Sequence, residues 1–313
     1  MMLPAFCAIL LGLFFFKGGS IYHHQGGGRF FFYYFLFFTA AYATLTTLAM
    51  ALPDQAVTIG TFSGVFNIAS LLIVVLIRVF SGSEAFARAG LSGGKPLQWL
   101  LWGLAFVLFY SLQTALNAAF GLGKAVDPTM LLADLTGGQS ASMSPAVLRL
   151  VLFIQTVLLG PFLGLLMGFG EEYGWRGYLQ GELVKIGKKR GVLLLGVIWG
   201  IWHYPVIWMG HNYPGQPVWG TVLMTIYTVL LGFVLGHVML KTHSVWLVAF
   251  LHALNNQVLS YYAVSFYQAK DPIFSFGIGL FGLLTMAPVV LLLLRDPVWS
   301  GDAEVVDTAG STL

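Results

Sequence analysis

Apolar positions along the chain come in long runs, separated by short pieces containing Gly, Pro, Asp and Lys. Runs of about 20 apolar residues read as membrane-crossing helices. The polar pieces read as their connections. Nine spans are predicted, at roughly 3–16, 30–52, 56–80, 97–120, 146–172, 191–210, 218–240, 244–265 and 273–294. No series of alternating apolar and polar segments appears, so a transmembrane barrel is not the reading. The expected fold is all-α, a polytopic helical membrane protein of about eight or nine transmembrane helices. The first run, Leu3 to Phe16, lacks a basic leader and a small-residue cleavage site. It reads as a short first span rather than a removed signal peptide; without it the count is eight. Gly121 to Ser144 is the longest connection and reads as an extramembrane loop. The tail "DPVWSGDAEVVDTAGSTL" is polar and reads as partly disordered.

Composition agrees with the pattern. Of 313 residues, 58% are hydrophobic and 9% charged, against about 25% charged in a soluble domain. The single cysteine, Cys7, permits neither an internal disulfide nor a cysteine metal cluster. The net charge of +3 is too small for a nucleic-acid footprint; the basic residues mark topology instead. With the loop Gly181 to Arg190 placed in the cytoplasm, alternation puts eleven Lys and Arg on that side. Only Lys124, Arg149 and Lys270 fall on the other. The positive-inside rule expects this asymmetry. The expected location is therefore a cell membrane, multi-pass, with the lipid bilayer as the first partner.

Against this background the stretch "FGEEYGWRGYLQ", Phe169 to Gln180, is unusual. Glu171 and Glu172 stand at the end of a long apolar run. The next span carries "WGIWHYPVIW" with His203, and the eighth carries "AFLHALNNQV" with His252 and Asn256. Counted from the cytoplasmic ends at 1.5 Å per residue, Glu171, His203 and His252 lie at depths of about 12–18 Å. Three separate segments thus deliver ionisable groups to nearly one level. Each costs about 2.5–3.5 kcal/mol there on insertion scales, and such groups usually face a cavity or one another. Glu172 and Arg176 are one turn apart and can pair. Glu171 points about 100° away. His252 and Asn256 share a helix face. Trp199, one turn before His203, can wall its imidazole.

A carboxylate beside an imidazole can deprotonate a water, and a His/Asn pair can donate to a developing oxyanion. Together these meet the needs of amide hydrolysis. "EEYGWR" resembles the EExxxR motif of the CAAX protease and bacteriocin-processing family of intramembrane glutamic endopeptidases, related to CAAX prenyl protease type 2. "WGIWH" is similar to its aromatic-xxx-His motif, with Trp199 where phenylalanine is common. "HALNN" is similar to its His-xxx-Asn motif. The resemblance spans about residues 165–260. It implies a helical membrane fold with a cavity open to the cytoplasmic side. It implies Glu171 as the residue that activates water, His203 assisting, His252 and Asn256 as oxyanion stabilisers, and Glu172 and Arg176 as supports. It divides the chain into N-terminal helices of unassigned role (1–140), a catalytic helical core (141–265), and a last helix with tail (266–313). The partner it implies is a peptide or membrane-protein substrate.

Simpler readings exist for each part. Taken alone, Glu172–Arg176 is a structural ion pair, and a single buried histidine is a helix–helix hydrogen-bonding group. The agreement of motif, order and depth favours a site. His23, His24, His211 and His243 read as loop or interfacial residues, and His237 as ordinary packing. Asn255, about 100° off the His252 face, is left out of the set. Catalysis without a cofactor is expected; the alternative is zinc held by Glu171, His203 and His252. The rival functions are a non-catalytic membrane binding or immunity protein, and a proton- or ion-coupled transporter.

Overall fold

The computed structural model describes residues 90–135 and 143–300, with scattered positions between 33 and 87. The first predicted span, most of the second and third, Cys7, His23, His24 and residues 301–313 lie outside the described residues. The described part is mostly helical. In chain order it runs α1 (Pro96–Ala119), β1 (Gly123–Ala125), α2 (Pro128–Leu135), α3 (Pro145–Leu152), a π-helical stretch Phe153–Leu159, α4 (Gly160–Glu172) and a second π-helical stretch Tyr173–Leu179. Then come α5 (Gln180–Leu183), α6 (Lys188–Trp202), α7 (Tyr204–Trp208), α8 (Pro217–Thr242), α9 (Val245–Ser265), β2 (Tyr267–Ala269) and α10 (Leu280–Leu293).

Four helical rods are long and apolar enough to cross a membrane: Pro96–Ala119, Pro145–Leu165, Lys188–Trp208 and Pro217–Thr242. Leu280–Leu293 is apolar but shorter. The count of eight or nine is thus not reached among the described residues. The ninth predicted span is shortened because its first residues form turns. Asp271 accepts from the Ile273 N–H at 2.7 Å, and Gln113 of α1 accepts from the Gly277 N–H at 2.8 Å. The eighth span forms the single helix α9, which His252, Asn255, Asn256 and Gln257 make more polar than the four rods.

Three further expectations change. The sixth span breaks at His203, because Pro205 has no N–H to give the helix and disfavours helical backbone before it. The predicted loop Gly181 to Arg190 is helical as far as Ile186, and the chain reverses at Gly187, whose φ of +108° suits glycine. The fold is also not purely α. Within the predicted loop, β1 pairs antiparallel with β2, Lys124 opposite Gln268. Arg149 donates to the carbonyls of Ser265 (2.8 Å) and Val126 (3.1 Å), and Lys270 to that of Gly121 (3.1 Å). Two of the three cations on the minority side therefore secure this ribbon.

The start of the tail is ordered as well. Trp299 is buried against Phe233 and donates to the Leu293 carbonyl at 2.9 Å. Asp296 accepts from Lys241 at 2.8 Å and from the Val298 N–H at 2.9 Å. The Lys241 ammonium first, and the Val298 N–H second, hold the Asp296 carboxyl below the usual carboxylate range. The clip is therefore complete at neutral pH and is lost only as the pH falls through that lowered value.

Small residues set the helix spacing. On α4, Gly160, Gly164 and Gly168 recur every four residues and meet Gln257, Ala253 and Ala249 of the antiparallel α9. A Cβ at Gly168 would come within 2.9 Å of the Ala249 carbonyl oxygen. On α6, Gly196 and Gly200 lie against Val229, Thr228 and Thr225 of α8. Thr228 Oγ1 donates across this seam to the Gly196 carbonyl at 2.9 Å. Such close approach supplies the dispersion contacts and interhelical hydrogen bonds that hold helices together in lipid.

Gly196→Ala places a methyl 2.6 Å from the Val229 Cα. Its expected effect is a lower thermal unfolding midpoint in detergent, from an overpacking cost of about 1–3 kcal/mol. Gly181→Ala meets nothing within 4 Å and should leave the midpoint unchanged or raised. Equal midpoints for the two variants would remove the close-packing argument.

Candidate active site

The row Gly160, Gly164, Gly168 on α4 ends one turn later in Glu172. Glu172 is fully buried, at 0% exposure. A lone carboxylate in that position would be prohibitive, and two partners compensate it. Arg176 Nη1, one turn on, donates to Glu172 Oε1 at 2.9 Å and lies 2.9 Å from Oε2. His252 Nδ1, from α9, lies 2.8 Å from the same Oε1. Because the α4–α9 seam is narrowed by glycine and alanine, a glutamate can span it without a water between.

Arg176 also lies over the Trp199 ring, 4.4 Å from its centre, a cation–π contact. Trp199 meets the His252 ring edge-on, with centroids 5.3 Å apart, and tilts against His203 at 5.9 Å. Its indole therefore touches both imidazoles. His203 Nδ1 lies 2.8 Å from the Trp199 carbonyl. A carbonyl only accepts, so Nδ1 carries the proton and a neutral ring presents Nε2 as an acceptor. The same logic leaves Nε2 of His252 open while its Nδ1 faces Glu172.

Glu171 is buried, at 8% exposure. Its carboxylate makes no hydrogen bond or ion pair to another described residue, yet stands within electrostatic reach of His252, Glu172 and Arg176. His203 and His252 are likewise within electrostatic reach of each other. The two glutamates, Arg176 and His252 balance their charge when they hold one proton, on His252 or on a carboxyl.

The structure thus gathers Glu172, Arg176, His252, Trp199 and His203, with Glu171 on the adjoining helix position. The acid bonded to an imidazole is Glu172; Glu171 bonds neither His203 nor His252. Asn256 is exposed on α9, one turn beyond His252. Asn255, which the helix-face argument set aside, is buried and held by Tyr110 and Tyr227. No local signal marks it, since its partners lie on α1 and α8. His237, read as ordinary packing, is buried between the rings of Trp102 and Trp299, 3.7 Å from Asp296. His211 and His243 are exposed, as expected for interfacial residues.

Among the described residues no group of three His, Cys, Asp or Glu is arranged to hold a metal ion. Of the alternative zinc set of Glu171, His203 and His252, His252 has Nδ1 held by the Glu172 carboxylate and His203 has Nδ1 at the Trp199 carbonyl, so in both rings Nε2 is the nitrogen left for any other partner. A cavity of about 350 Å³ lies elsewhere, near the β1–β2 ribbon, lined by Ser111, Thr114, Tyr262, Phe266 and Tyr267.

Residues 153–258 match the family model described as type II CAAX prenyl endopeptidase Rce1-like. The segment resembles that family. It contains Glu171, Glu172, Arg176, His203, His252 and Asn256, so the resemblance carried by the three motifs is shown. The Rce1-like segment is also similar to CAAX prenyl protease 2 of Methanococcus maripaludis, 29% identical over 108 residues. That alignment covers 32% of this chain and 40% of the relative's length. The chain thus spans less than half of the curated relative it matches. No solved structure matches. The apolar helices and the Rce1-like segment together mark an integral membrane protein.

Removing either carboxylate tests the geometry before any activity is measured. Glu172→Ala leaves Arg176 and His252 buried without their shared acceptor, a loss of about 3–5 kcal/mol for a broken buried pair. Glu171→Ala removes no bond to a described residue and should cost clearly less. The thermal unfolding midpoints of the two purified variants give the comparison. A larger drop for Glu171→Ala would contradict the placement of Glu172.

Proposed function

We propose that this protein is an intramembrane endopeptidase that hydrolyses a peptide bond of a peptide or membrane-protein substrate. The observation that carries this is the Glu172–His252 bond, which joins two of the three family motifs within the Rce1-like segment. Glu171, the carboxylate with no described bond, is the base that takes a proton from water, assisted by Nε2 of His203. His252, once protonated, and the Asn256 amide donate to the oxyanion of the tetrahedral intermediate. Glu172 and Arg176 orient His252 and keep the charge of the cluster balanced. The water attacks the carbonyl carbon, and its proton passes through the acid to the leaving amine. No step requires a metal.

The similarity to a CAAX prenyl protease directs the first choice of substrate to a prenylated peptide ending in a CAAX-type sequence. The remaining features of this reading are a bundle of eight or nine spans and a site open to the cytoplasmic side. The clustering of Lys185, Lys188, Lys189 and Arg190 where α5 turns into α6 supports that orientation.

The test is cleavage of a quenched fluorogenic farnesylated CAAX peptide by purified protein in lipid vesicles. Glu171→Ala and His203→Ala should each lower kcat by about 10²–10⁴-fold. Exhaustive chelation with verified metal depletion should leave the rate intact. Loss restored only by zinc, or cleavage indifferent to Glu171→Ala, would overturn the mechanism. A partner that co-purifies and is never cut would favour the binding-protein alternative.

A further inference from the structure

A second polar cluster adjoins the first; it uses none of the defining residues of the three motifs, Asn255 standing at a variable position within HALNN. Tyr110 of α1, Tyr227 of α8 and Asn255 of α9 meet in the apolar interior, all three buried. The Tyr110 hydroxyl donates to Asn255 Oδ1 at 2.6 Å. The Tyr227 hydroxyl lies 3.2 Å from that of Tyr110, 3.0 Å from Asn255 Oδ1 and 2.8 Å from Asn255 Nδ2. Three helices are thereby tied through one side-chain amide. As a clamp alone this would be ordinary interhelical bonding.

One bond goes further. Asn255 Nδ2 also donates to Oδ1 of Asn256 at 3.1 Å. Asn256 is exposed, and its amide would otherwise turn freely about χ2. With Oδ1 engaged by Asn255, the planar amide must present its NH₂ on the opposite side. Only that orientation gives an oxyanion an N–H donor; the flipped amide would offer a repelling oxygen. The buried trio is rigid because both ends of the Asn255 amide are held.

We propose that Tyr110, Tyr227 and Asn255 are positioning residues that lock the Asn256 amide with its N–H groups toward the reacting carbonyl oxygen. The assignment rests on the peptidase reading above, because it acts through Asn256. It extends the site from the Rce1-like segment to α1, which lies outside the matched residues.

The test is a double-mutant cycle with the farnesylated CAAX peptide. Asn255→Ser should lower kcat by about 10²-fold, the scale of a misplaced catalytic group, with KM nearly unchanged. In an Asn256→Ala background the same change should cause no further loss of kcat, because its effect passes through Asn256. Tyr110→Phe and Tyr227→Phe keep the ring volume and should show smaller kcat losses that also vanish in that background. They provide the cycle if Asn255→Ser does not fold. Losses that multiply in the Asn256→Ala background would show a general packing role and overturn the positioning assignment. Failure of the unmodified protein to cleave would instead sink the peptidase reading, and the positioning role with it.

Discussion

One oxygen atom carries much of this structure. Glu172 Oε1 accepts from Arg176 on its own helix and from His252 on another, and both donors are buried. In an apolar interior the three groups are mutually necessary. Arg176 without Glu172 is an uncompensated cation, Glu172 without Arg176 an uncompensated anion, and His252 without Glu172 lacks a fixed tautomer. The bond also acts as a ruler. A glutamate reaches an imidazole at 2.8 Å only if the two backbones lie close, and the Gly160, Gly164, Gly168 row against Ala249, Ala253 and Gln257 provides that approach.

The other seam works in the same way. Gly196 and Gly200 let α6 press on α8, and this places Trp199 in contact with Arg176 and with both imidazoles. Pro205 then ends the helix just after His203, so the ring at the helix end is held by the Trp199 carbonyl. Polar clamps complete the arrangement. Tyr110, Tyr227 and Asn255 tie three helices at one point, and Ser111 bonds Tyr262 along the same α1–α9 contact. Chemistry, packing and polar satisfaction thus depend on the same few positions.

Much of the site is legible in the chain because its strongest signals are local. Glu172 and Arg176 are one turn apart, and a turn is a spacing that sequence displays. The depth of Glu171, His203 and His252 follows from counting residues along apolar runs. The Glu172–His252 bond was not legible, since the partners are 80 residues apart and depth alone does not say which of two adjacent carboxylates faces α9. Asn255 fails for a related reason: its angular offset from His252 argues against a shared face, while its real partners are hydroxyls on helices with no motif. Pro205 carries a readable signal for the break at His203, hidden by the apolar residues that follow it. The β1–β2 ribbon is three residues per strand, too short for alternation to register. In the tail, polar composition concealed Trp299, whose burial depends on Phe233 far away in the chain.

The most direct measurement is ¹⁵N and ¹H NMR of protein labelled at histidine, in detergent micelles, with His252→Gln used to assign the His252 signals. A His252 Nδ1 proton shared with a buried carboxylate should resonate far downfield, exchange slowly with water, and disappear from that position in Glu172→Gln. A His252 ring that exchanges freely with solvent and does not respond to Glu172→Gln would contradict the account at its centre.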